Sequence, residues 1–122
     1  MIAMLTASCH CGAIRLEVSR TPRTLTDCNC SICRRYGALW SYYKATSVRV
    51  FRAPKATSVY SWGDKTLEFY RCNVCGCVTH HERTRKRPDS TVGVNARNFE
   101  PGAIAQARIR RLDGASTWKY LD

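Results

Sequence analysis

The chain has no uninterrupted apolar run near the ~18 residues that a spanning helix needs, which excludes such a membrane span. Its first eight residues, Met1 to Ser8, are short and carry no basic leader, so no secretory signal is expected. Acidic residues are scarce. Nine Asp and Glu stand against 20 Lys and Arg, for a net charge of +11. Histidines number three and do not form the two-cysteine, two-histidine spacing of a DNA-reading finger. No internal repeat and no low-complexity linker interrupts the 122 residues. That length predicts a single domain, 1–122, with no room for two independent cores. Helical periodicity is also sparse. Ser31–Tyr36 has the makings of one turn ended by Gly37, and Phe99-Glu100-Pro101-Gly102 reads as a break.

Cysteine is what the chain has in excess. The eight are Cys9, Cys11, Cys28, Cys30, Cys33, Cys72, Cys75 and Cys77. Without a secretory signal the expected location is the cytoplasm, whose reducing poise disfavours structural disulfides. The spacing points the same way. Pairs separated by one residue and CxxC pairs let one turn aim several thiolates at a point, as a metal requires. Soft thiolates select zinc, copper(I) or iron–sulfur. The long cysteine runs of bacterial ferredoxins are absent, so two Zn2+ are expected.

Between the cysteines the polar and apolar residues mostly alternate, which is the strand period. Residues 13–18 place Ile14, Leu16 and Val18 on one face. Residues 47–51 repeat the pattern. Segments 57–62 and 66–71 flank Gly63-Asp64-Lys65, a hairpin turn. Further strands are expected at 39–44, 77–82, 90–95 and 104–112. The reading is all-β, with about ten short antiparallel strands and the CxxC pairs in loops between them.

The simplest division of ligands puts Cys9, Cys11, Cys72 and Cys75 around one zinc that staples the sheets and contributes folding energy. Cys28, Cys30 and Cys33 are left around a second. Three protein ligands with the fourth position open is the arrangement of catalytic zinc. A fourth protein ligand from Cys77, His10, His80, His81 or Asp27 would close it. His80 and His81 are adjacent, so on a strand they face opposite sides.

Cys9-His10-Cys11-Gly12, Cys28-Asn29-Cys30-Ser31-Ile32-Cys33-Arg34-Arg35 and Cys72-Asn73-Val74-Cys75-Gly76, with Gly37-Ala38, Val94-Asn95-Ala96-Arg97 and Leu112-Asp113-Gly114, resemble one family. It is the glutathione-dependent formaldehyde-activating enzyme family, whose domain is shared with centromere protein V. The resemblance spans about residues 7 to 115. It implies a β-tent of small antiparallel sheets with two zincs. The structural zinc maps to Cys9, Cys11, Cys72 and Cys75, and the catalytic zinc to Cys28, Cys30 and Cys33. It also implies carbon–sulfur lyase-type chemistry, the reversible condensation of glutathione with formaldehyde. Asn29 departs from the family, in which a histidine is common at that place.

An open zinc can hold a small thiol, glutathione or similar, as thiolate for attack on an aldehyde. Arg34 and Arg35 follow the zinc loop and suit carboxylates. Asn95 and Arg97 join them from the family pattern. Tyr36, Trp40, Tyr42 and Tyr43 are candidates for a pocket wall. The alternative function is a non-catalytic, zinc-stabilised basic binding module for nucleic acid or protein. Its densest basic run is Arg83–Arg87, read here as a solvated hairpin loop. The basic residues do not form one stripe and no nucleic-acid motif is present, so the small thiol is the preferred partner. The oligomeric state, monomer or dimer, is left open.

Overall fold

The structure is a computed structural model that describes residues 4–85 and 89–122. Ten strands form two sheets. The first strands are β1 (Leu5–Ser8), β2 (Ile14–Val18), β3 (Thr24–Cys28) and β4 (Trp40–Lys44). They are followed by β5 (Val48–Arg52), β6 (Thr57–Tyr60), β7 (Leu67–Cys72) and β8 (Val78–Arg83). The last are β9 (Thr91–Asn95) and β10 (Arg108–Leu112). Among the described residues, helix is confined to α1 (Cys33–Tyr36), α2 (Pro101–Ile104) and two 3-10 turns. The three-stranded sheet runs β1-β2-β5 and the seven-stranded sheet runs β10-β3-β4-β9-β8-β7-β6.

The expected all-β class of small sheets is what forms. Among the described residues, antiparallel pairing holds on every ladder but one, because β10 lies parallel to β3 with Ile109 opposite Leu25. A parallel neighbour needs a crossover connection. Here it runs through β4, β5 of the smaller sheet, β6 to β9 and α2. The expected strand at 104–112 therefore begins only at Arg108. Pro101 occupies the first turn of α2, where its missing N–H is no loss, so the predicted break is a short helix. Gly37 ends α1 in the left-handed region, at φ 63°, and its N–H bonds the Cys33 carbonyl. The CxxC pairs touch regular elements. Cys28 ends β3, Cys33 opens α1 and Cys72 ends β7.

The two sheets meet over one apolar core. Ile14, Leu16 and Val18 of β2 are fully buried. They belong to one cluster with Leu25, Tyr43, Val92 and Val94 of the larger sheet. Each such side chain contributes about 1.5–3 kcal/mol of burial. The alternation that sends Tyr43, Val92 and Val94 inward sends Trp40, Tyr42 and Gly93 to the other face. A second cluster forms there around Cys28, Cys33, Trp40 and Phe69. The larger sheet is thus covered on one face by its partner sheet and is free on the other to carry a site. No helix among the described residues is long and apolar enough to cross a membrane.

Candidate metal centres and the cavity beside one of them

The eight cysteines are all free thiols. Seven of them converge in two groups, Cys9, Cys11, Cys72 and Cys75, and Cys28, Cys30 and Cys33. Within each group the sulfurs lie within 4.8 Å of one another.

The four-thiol group ties the sheets together. Cys9 and Cys11 come from the β1–β2 turn, and Cys72 and Cys75 from the end of β7 and the turn beyond it. The Cys11 sulfur stands 3.8 Å from that of Cys9 and 3.6 Å from that of Cys72. Backbone N–H groups point at the sulfurs. Ile14 donates to Cys9, and both Val74 and Cys75 donate to Cys72. Such donors favour the thiolate. The N–H groups of Cys77 and Cys11 bring the Cys75 thiol down to about 5. Those of Cys75 and Val74 lower Cys72.

The three-thiol group sits where β3 runs into α1. Cys33 N–H donates to Cys30 Sγ at 3.4 Å, and the Trp40 indole Nε1 donates to Cys33 Sγ at 3.3 Å. Cys28 is brought down to about 6 by the Cys33 thiol, then by the N–H groups of Cys30 and Gly114. Cys33 is pushed strongly up by Cys28 and by burial. One thiolate therefore forms readily and resists a second beside it. A soft divalent cation removes that conflict. Both donor sets, four thiols and three, fit zinc.

Gly114 closes over Cys28. A Cβ there would lie 2.5 Å from the Cys28 sulfur, so any larger residue must push that sulfur aside. Asn29, between the first two cysteines, fixes the Gly114 loop. Its Nδ2 donates to Asp113 at 3.0 Å and its Oδ1 accepts from Ala115 N–H at 2.9 Å. Asn29 and Thr117 bonding holds the Asp113 carboxyl below its ordinary range. Trp118 N–H donates to the Asp113 carbonyl at 2.8 Å. Trp118 adopts φ 59°, a region that bulky side chains rarely occupy.

A cavity of about 880 Å³ opens beside this group. Cys28, Cys30 and Cys33 line one end. Trp40, Tyr42, Leu67 and Phe69 form its walls, with Trp62 and Trp118 at exposed positions. His81 and Arg83 of β8 complete it. His81 is 3% exposed, and burial followed by the Arg83 charge lowers its imidazole to about 3, so the ring is neutral. Arg83 bonds Asp89 through Nε at 3.1 Å.

Of the expected wall, Trp40 and Tyr42 face the cavity. Tyr36 packs on Phe69 at 5.5 Å. Tyr43 points into the inter-sheet core and a smaller cavity of about 360 Å³. The four residues expected to hold substrate do not line the larger cavity. Arg34 and Arg35 are exposed on α1, with Arg35 bonded to the Ser31 carbonyl. Asn95 is consumed by backbone groups of Leu39, Val78 and Arg97. Arg97 Nε donates to the Gly37 carbonyl at 2.6 Å.

No fourth ligand joins the three-thiol group among the described residues. Cys77 neighbours Cys75 at the other centre. His10 is exposed in the Cys9–Cys11 turn, and Asp27 is exposed on β3. His80 faces away and stacks on Tyr70 at 4.5 Å. Of the basic run, Lys86 and Arg87 lie outside the described residues. Trp62, Trp118 and Arg83 were missed as wall residues. Trp118 lies beyond the matched motifs, and alternation in a strand does not say which face of a sheet is left open.

The family model for glutathione-dependent formaldehyde-activating enzymes matches residues 4–110. The crystal structure of a Rhodobacter sphaeroides protein is similar at a TM-score of 0.71 and 31% identity, over 86% of this chain and 99% of that one.

Proposed function

The chain belongs to the glutathione-dependent formaldehyde-activating enzyme family, and from that premise we propose that it is a zinc-dependent carbon–sulfur lyase-type enzyme. It would join a small thiol, glutathione or similar, to an aldehyde such as formaldehyde, or cleave the S-hydroxymethyl adduct. The observation that carries this reading is the three-thiol group at the end of a large cavity. We assign Cys28, Cys30 and Cys33 to the reactive zinc, and Cys9, Cys11, Cys72 and Cys75 to a structural one. The whole chain, 1–122, would act as one domain in the cytoplasm, where its thiolates stay reduced.

Zinc at the three-thiol group would supply a positive charge that favours the thiolate form of a bound thiol near neutral pH. The chain's own residues do the rest. Trp40 Nε1 and the Cys30 and Gly114 N–H groups spread the negative charge of the cysteine sulfurs. Trp40, Leu67 and Phe69 keep water from the reacting atoms, which strengthens each polar contact there. Arg83, on the wall, offers a guanidinium to a substrate carboxylate. Asn29 keeps the Gly114 loop closed over Cys28.

The test is the rate of S-hydroxymethylglutathione formation from glutathione and formaldehyde, followed by NMR exchange. Zinc-loaded protein should accelerate it, and Cys30→Ser should abolish the acceleration while retaining one zinc. An unaccelerated reaction, for glutathione and for other small thiols, would contradict the proposal.

A further inference from the structure

Four strands of the larger sheet contribute one residue each to a single transverse row. Tyr42 opposes Gly93, Gly93 opposes His81, and His81 opposes Phe69. Directly opposed residues share a face, and this row lies on the cavity side. Gly93 brings no side chain, and the His81 ring fills the space it leaves. A Cβ at position 93 would lie 2.1 Å from His81 Nε2. Three aromatic rings box the imidazole, Trp40 at 4.6 Å, Phe69 at 5.5 Å and Tyr42 at 5.9 Å.

That box suits phenylalanine. Histidine in it leaves Nδ1 buried, with no hydrogen-bond partner among the described residues. A buried polar atom without a partner loses its hydration and gains nothing. His80, one residue earlier, shows the contrasting case. Its Nδ1 pairs with the Thr79 hydroxyl at 2.9 Å and its Nε2 with Glu82 at 3.0 Å. A histidine that serves the fold has both nitrogens engaged. His81 borders the cavity, and its Nδ1 is enclosed there without a partner among the described residues.

We infer that His81 is a catalytic residue whose ring bonds the aldehyde oxygen and relays the proton from thiol to oxygen. The inference rests on the thiol–aldehyde reading above. The placement supports it, because the Trp40 indole packs edge-on against His81 and donates to Cys33 Sγ. One indole thus connects the imidazole to the thiol group. In the addition, the S–C bond forms and the C=O π pair moves onto oxygen. One unprotonated ring nitrogen takes the proton the thiol loses and passes it to that oxygen. The product is a hydroxyl, the ring ends neutral as it began, and cleavage runs the same transfers backwards. A ring held neutral by burial keeps one nitrogen free to accept, as this needs.

The experiment compares zinc-loaded wild type, His81→Phe and His81→Gln in glutathione–formaldehyde condensation. Zinc content, glutathione affinity and the unfolding midpoint are measured alongside. The expected result for His81→Phe is two zincs, unchanged glutathione affinity, an equal or higher midpoint, and kcat lower by about 100-fold or more. His81→Gln, which restores an N–H donor, should recover part of that loss. His81→Phe turnover within about threefold of wild type would overturn the assignment and leave the thiol–aldehyde reading standing. A lowered midpoint with lost zinc would overturn it too, by showing His81 to be structural. Wild type inactive with every thiol–aldehyde pair would overturn the function and this inference together.

Discussion

The two cysteine groups share one ligand chemistry and differ in what surrounds them. The four-thiol group is spread across two sheets, so holding it together holds β1 and β2 against β7. The three-thiol group comes from six consecutive residues at the end of β3 and faces a cavity of about 880 Å³. The first has four donors and connects distant segments. The second has three and connects almost nothing. Number of donors and span along the chain, more than donor type, separate a centre that makes the fold from one that uses it.

The sharpest way to break this comparison is to remove one sulfur from each group. Cys72→Ser should lose its zinc and the cooperative unfolding transition, because structural zinc binding of about 10–16 kcal/mol is folding energy. Cys30→Ser should lose one zinc and keep a sharp transition. Metal analysis and thermal unfolding read both outcomes. Equal destabilisation by the two substitutions would erase the distinction.

Acid titration gives a smaller effect. His81 is held near 3, against an ordinary value of 6.5. Between those values the unfolded chain binds a proton that the folded chain excludes, so stability falls as pH drops from 6.5 toward 3. The loss reaches about 5 kcal/mol at most. His81→Phe should flatten this part of the stability–pH curve, measured by denaturant unfolding with metal content monitored. Identical curves for the two proteins would sink the assignment of a buried neutral ring.

Gly114→Ala should act on one centre alone. Its Cβ meets the Cys28 sulfur at 2.5 Å, and the accommodation costs about 1–3 kcal/mol. Affinity for the second zinc should drop while the first stays filled, as competition with a chelator will show. The smallest effect is expected from Asn29→Ala. It removes the bonds to Asp113 and Ala115, worth about 1 kcal/mol each. It should raise the KM for thiol several-fold and lower the melting temperature by a few degrees.

Much of this architecture was legible from residue pattern. Ile14, Leu16 and Val18 alternate cleanly, and all three are buried in β2. Cysteine spacing showed which cysteines pair locally, because a CxxC or CxC closes on one point. Joining Cys9 and Cys11 to Cys72 and Cys75 was the simplest division, and the structure brings those four together. What stayed hidden depends on distant segments. Nothing in Arg108–Leu112 announces a parallel pairing with β3, since strand direction is set by the path of the intervening chain. Arg34 and Arg35 follow the cysteines in sequence yet lie exposed on α1, while Arg83 reaches the cavity from β8. Trp118 arrives from the last ten residues, in a loop that Asn29 and Asp113 help to hold.

The central claim, one closed centre and one that accepts an outside thiol, is tested most directly at the zinc itself. Zinc X-ray absorption, with elemental analysis, should be recorded on anaerobically purified protein before and after glutathione is added. The account predicts two zincs per chain, with an average sulfur coordination that rises when glutathione binds as one site gains a sulfur ligand. Two zincs already bound by four protein ligands each, with a spectrum indifferent to glutathione, would contradict it.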